Sequence, residues 1–68
     1  MPSYYVNKNA HSTGEHEVHI FTCPHMPELE NRIYLGVFKN CRGAIKEAKE
    51  HFLNVDGCYF CSKECHTR

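Results

Sequence analysis

Asp56-Gly57-Cys58-Tyr59-Phe60-Cys61-Ser62-Lys63-Glu64-Cys65-His66 holds three of the chain's five cysteines and ends on a histidine. Cys58 and Cys61 form a C-x-x-C pair, whose intervening residues make one tight turn and aim two sulfurs at a common point. A tetrahedral zinc site needs two such pairs. Working outward, the upstream pair that stands out is His19 with Cys23 four positions on, where Pro24 stiffens the chain behind the cysteine. The predicted frame is a zinc clasp that ties the end of the chain to its first third.

A clasp suits the size. Sixty-eight residues make a single domain, 1–68, with a small core, and chains this short usually need a metal, a disulfide or a partner copy as a staple. Met1-Pro2-Ser3-Tyr4-Tyr5 shows no basic segment followed by an apolar run, and no apolar stretch approaches membrane-spanning length. The expectation is a cytoplasmic protein with reduced thiols, which favours metal over disulfide. The odd cysteine count points the same way. Net charge is zero with histidines neutral, so the bulk charge does not demand a phosphate backbone as partner. Six histidines would turn the net charge positive below about pH 6.5.

Periodicity predicts an α+β fold: a small three-stranded antiparallel sheet, one helix and a C-terminal zinc knuckle. Residues 4–9 read as a strand led by Tyr4-Tyr5-Val6. Residues 17–21 read as a second, with Val18 and Ile20 on one face and His19 and Phe21 on the other; Gly14 turns the chain between them. Pro24 and Pro27 enforce a loop. In residues 32–38, Ile33, Leu35 and Val37 alternate with Arg32, Tyr34 and Gly36, which predicts one fully apolar face. Asn40 can cap a helix running from Cys41 to about Leu53, with Ala44, Ile45, Ala48 and Phe52 facing the core. Such a helix spans ~20 Å and a seven-residue strand ~23 Å. The two runs nearly cancel, returning Cys58 to the neighbourhood of Cys23.

The predicted metal ligands are therefore His19, Cys23, Cys58 and Cys61, in preference to His11, His16 or His25. Cys65 and His66 are alternative ligands; being adjacent, they would find it hard to face one ion together. Cys58 and Cys61 also allow a redox dithiol, although that motif belongs at a strand-to-helix junction in a longer α/β chain. Cys41 sits at the predicted helix start, where backbone N–H groups lower a thiol's pKa, and is the candidate reactive thiol. Tyr4, Tyr5 and Tyr59 could stack on bases, with Lys8, Lys39 and Arg42 meeting phosphates.

His19-Ile20-Phe21-Thr22-Cys23, Pro27, Asn31-Arg32-Ile33-Tyr34-Leu35, Ala44, Ala48 and Cys58-Tyr59-Phe60-Cys61 together resemble the N-terminal metal-binding domain of Ada-type DNA-repair proteins. The resemblance covers roughly residues 4–61. It implies a small sheet with a helix and one zinc ion, with histidine as the first of four ligands. In Ada-type proteins a cysteine at that first position accepts a methyl group from a DNA phosphotriester, which the imidazole of His19 cannot do in the same way. The expected function is thus a non-catalytic structural zinc module that mediates interaction with a protein or nucleic acid, not a membrane. The alternatives are a reactive-thiol protein, as redox dithiol or alkyl acceptor, and a weak nucleic-acid-binding module.

Overall fold

A computed structural model describes residues 1–67. It is a small α+β structure with strands β1 (Ser3–Asn7), β2 (His16–Ile20), β3 (Arg32–Val37) and β4 (Val55–Gly57) and one helix, α1 (Cys41–Ala48). Two single 3₁₀ turns, Leu29–Asn31 and Lys63–Cys65, complete it. The sheet order is β3-β1-β2-β4. β1 pairs antiparallel with β2 and with β3, as three of the strands were expected to do. β4 is the correction: the sheet has four strands, not three, and β4 lies parallel to β2, with Glu17 opposite Asp56 and Val18 opposite Gly57. Val55-Asp56-Gly57 is too short to show alternation and contains two residues that disfavour strands, so its pairing is decided by the neighbouring strand.

Residues on the β1–β2 pair sort cleanly between the faces. Val6 stands opposite Val18 and Tyr4 opposite Ile20, on the side that α1 covers. Tyr5 stands opposite His19 on the other side. The helix-side core gathers Tyr4, Val6, Val18, Leu35, Cys41, Ala44 and Ala48.

β3 departs from simple alternation. Its register shifts between Tyr4 and Tyr5, so that Tyr34 opposes Tyr5 while Gly36 opposes Tyr4. Leu35 is the extra residue of the bulge and is buried, whereas Val37 comes out opposite Ser3 and is exposed. Gly36 adopts φ +120°, a conformation side chains rarely take, and that permits the bulge. The expected single apolar face of Ile33, Leu35 and Val37 is therefore broken at Gly36.

α1 begins where expected. The Asn40 side chain accepts a hydrogen bond from Arg42 N at 3.0 Å. The helix stops at Ala48 rather than Leu53, because Ala48 O accepts from both His51 N (2.9 Å) and Phe52 N (3.0 Å) as the last turn tightens. That turn sets Phe52 flat on His16, ring centroids 3.7 Å apart, and feeds the chain into β4. No helix among the described residues is long and apolar enough to cross a membrane.

Candidate metal centre

The site forms where β2 and β4 end side by side. His19 is the penultimate residue of β2, on the face away from α1. A tight turn follows, with Cys23 N donating to Ile20 O at 2.9 Å and Met26 N to Cys23 O at 3.1 Å, which carries the Cys23 sulfur back beneath the strand. Across the ladder, Cys58 N donates to Val18 O at 3.0 Å, so parallel pairing delivers the first cysteine of the C-x-x-C beside His19. Ser62 N then donates to Cys58 O at 2.9 Å and closes the knuckle around Cys61.

The structure thus brings His19, Cys23, Cys58 and Cys61 together, their donor atoms all within 4.8 Å of one another. Cys23 Sγ lies 3.9 Å from Cys58 Sγ, and Cys61 Sγ lies 3.9 Å from His19 Nδ1. A tetrahedron with metal–sulfur bonds of about 2.3 Å has sulfur–sulfur edges of about 3.8 Å, and a mixed sulfur–nitrogen edge is about 3.6 Å, so the first distance matches and the second lies a few tenths of an ångström beyond. His19, Cys23 and Cys58 are buried and Cys61 is half-buried.

Burial sets the electrostatics. It pushes the thiols of Cys23, Cys58 and Cys61 above their ordinary pKa, because a lone thiolate is poorly solvated there. It lowers His19, with nearby Glu17 opposing and His25 adding to the fall, so the imidazole stays neutral and keeps a lone pair to offer. A divalent cation at the centre would hold the three sulfurs as thiolates. Three soft thiolates and one neutral imidazole are a donor set suited to zinc.

Aromatic rings flank the C-x-x-C turn. Phe60 packs on His25 with centroids 4.2 Å apart and edge-on to Tyr59 at 5.3 Å. Tyr59 and Phe60 remain half or more exposed. A cleft of about 360 Å³ opens beside Cys58, lined by His11, Glu17, His25, Tyr59, Phe60 and His66.

The remaining candidates fall elsewhere. Cys65 and His66 do not join the cluster. Cys65 forms a disulfide with Cys41, their Cα atoms 6.3 Å apart. His66 Nδ1 is 3.0 Å from Gly57 O and 3.4 Å from Asp56 Oδ2, which turns it to the strand beside the site. The pairing also corrects Cys41, which is no free thiol, and the expectation of uniformly reduced cysteines; Cys23, Cys58 and Cys61 are the free ones. A sequence signal for it existed: a site using three of five cysteines leaves two over. Tyr4, a proposed stacking platform, is 5 % exposed and belongs to the core. Tyr5 lies under Arg32, whose guanidinium is 4.9 Å from the ring centre.

No family model, no curated protein and no solved structure matches this chain.

Proposed function

We propose that the chain is a structural zinc module, with no catalysis of its own, that presents a small surface to a macromolecular partner. One observation carries the reading: four metal-type donors from two segments 35 or more residues apart converge to within 4.8 Å of one another, three of them buried. His19, Cys23, Cys58 and Cys61 would hold the ion. Four protein ligands close a tetrahedral shell and leave no position for substrate or water, as in structural rather than catalytic zinc sites. The ion would supply cross-linking energy on the order of 10 kcal/mol, comparable to the whole stability of a small domain. Histidine in the first ligand position argues against methyl transfer of the Ada type.

The test is metal content by elemental analysis of the purified chain, together with thermal unfolding before and after a strong chelator. One zinc per chain and a large loss of stability on chelation are expected. Metal-free protein of unchanged stability would refute the proposal. For the partner, nucleic-acid binding that falls steeply with salt would identify a phosphate backbone, and no binding at low salt would leave a protein partner.

A further inference from the structure

Beyond Cys61 the chain bends back across β4 as a short strap. Cys65 N donates to Ser62 O at 2.9 Å, and Thr67 donates to Asp56 Oδ1 through both its backbone N (2.9 Å) and its hydroxyl (3.0 Å). His66 Nδ1 meets Gly57 O. The strap has one covalent anchor, Cys65 to Cys41 at the first residue of α1. It also has no slack. A Cβ built on Gly57 would stand 2.6 Å from Ser62 O and 2.7 Å from Cys65 Cβ. Cys65 therefore bears directly on the residue preceding Cys58, four positions after Cys61.

We infer that the Cys41–Cys65 disulfide is a redox-controlled latch that sets how tightly the His19–Cys23–Cys58–Cys61 centre holds its metal ion. The inference rests on the zinc reading above and adds its regulation. With the latch closed, the segment carrying two of the four ligands is pinned at both ends, by β4 pairing on one side and α1 on the other. Metal binding then orders little new chain. With the latch open, the strap keeps the packing of Cys65 on the core, the His66–Tyr59 ring contact and its hydrogen bonds to Asp56 and Gly57 but loses its covalent anchor, and metal binding must order more of the segment.

The opening chemistry is thiol–disulfide exchange with a small thiol such as glutathione. Its thiolate attacks Sγ of Cys65, which is half-buried, whereas Cys41 is 2 % exposed. The Cys41–Cys65 bond breaks, Cys41 leaves as thiolate and takes a proton, and a mixed disulfide forms on Cys65. A second glutathione thiolate attacks that mixed disulfide, releasing Cys65 as a thiol and one molecule of oxidised glutathione. The protein gains two electrons and two protons, and two glutathiones are oxidised.

Linkage makes the effect reciprocal: if the closed latch tightens zinc, zinc must favour the closed latch by the same factor. A cross-link over this sequence separation favours the folded chain by roughly two orders of magnitude in equilibrium constant. A tenfold or greater share is expected at Cys58 and Cys61, the two ligands in the segment that the strap closes.

The experiment measures zinc affinity by competition with a chromophoric chelator for the oxidised wild type, a Cys41→Ala/Cys65→Ala double variant, and Val6→Ala as a control that weakens the core on the opposite face of the sheet. A second measurement titrates wild-type protein with reduced against oxidised glutathione, with and without zinc. The expected result is one zinc bound in each case, at least tenfold weaker in the double variant and less than threefold weaker in Val6→Ala. The glutathione midpoint should shift with zinc by a matching factor. A double variant within threefold of wild type, or an equal loss in Val6→Ala, overturns the latch. Should the double variant not fold without zinc, the midpoint decides, and one unmoved by zinc overturns it. Zinc uptake untouched by the latch refutes this inference alone, whereas no zinc uptake by oxidised wild type refutes the zinc module and the latch with it.

Discussion

On the helix side of the sheet, Val6, Val18, Ala44 and Ala48 have no exposed surface; on the opposite side, His19 and Cys58 are almost as deeply buried, at 2 % and 1 %. Both sides bury residues deeply, although Cys61 is only half-buried and a cleft opens beside Cys58, and they differ in what they bury. The first is apolar and gains stability from burial itself. The second is lined with nitrogen and sulfur donors, whose separations of 3.9 Å are long for strong hydrogen bonds among themselves. Burying such groups costs free energy unless something answers them. The helix side is held by apolar burial, whereas on the proposed reading an ion would answer the donors of the knuckle side.

That contrast can be broken most forcefully at Cys58. Cys58→Ser should abolish stoichiometric zinc and cost several kcal/mol, as the loss of a structural metal does. Amide exchange should accelerate across β4 and residues 58–67 while β1 and β3 stay protected. Uniform exchange across the chain would show that the two sides are one cooperative unit.

Gly57→Ala attacks the same side without touching a ligand. Its Cβ meets backbone and disulfide atoms under 3 Å away, which cannot move aside as a flexible side chain would. A loss of about 3 kcal/mol and weaker zinc binding are expected; denaturant unfolding at fixed zinc measures it.

Val6→Ala probes the opposite side. Removing two buried methyl groups should cost about 2 kcal/mol through lost burial and a small cavity, with zinc stoichiometry still one per chain by elemental analysis. A fall in stoichiometry would mean that the sheet core helps define the site.

The gentlest probe is pH. In metal-free protein, burial raises the three ligand thiols above their ordinary 9.0, so the unfolded chain loses their protons first as pH rises. Their contribution is fully present below pH 9.0 and is lost as pH climbs through the raised values. His19 is lowered from 6.5, so its contribution is present above that value and is lost as pH falls through the lowered one. Melting temperature of the metal-free form should therefore decline on both flanks. With zinc bound the alkaline decline should vanish, since the sulfurs are already thiolates, while the acid decline should steepen as protons compete for four ligands. Identical profiles with and without zinc would contradict the proposed ligand set.

Most of the elements were legible because they follow from local pattern. The β1 and β2 runs, the start of β3, and the Asn40 cap with Ala44 and Ala48 below it are each written within a few residues. The clustering of His19, Cys23, Cys58 and Cys61 was legible too, since a C-x-x-C and a His-x-x-x-Cys need partners and the element lengths return one to the other. The rest depended on contacts between distant segments. β4 carries no strand signal and exists because β2 offers it a free edge. The bulge at Leu35, which sends Val37 outward, is set by pairing with β1, not by the alternation of β3. α1 ends early, its last turn tightening on Ala48 O as Phe52 stacks on His16 of β2. Cys41 and Cys65 are 24 residues apart, and no local preference links a helix start to a terminal 3₁₀ turn. By itself the sequence determined which residues are able to ligate and which are able to form the core, because donor chemistry and hydropathy belong to single side chains. The tertiary structure decided which cysteines meet which, because a sulfur's partner depends on where the whole backbone brings it.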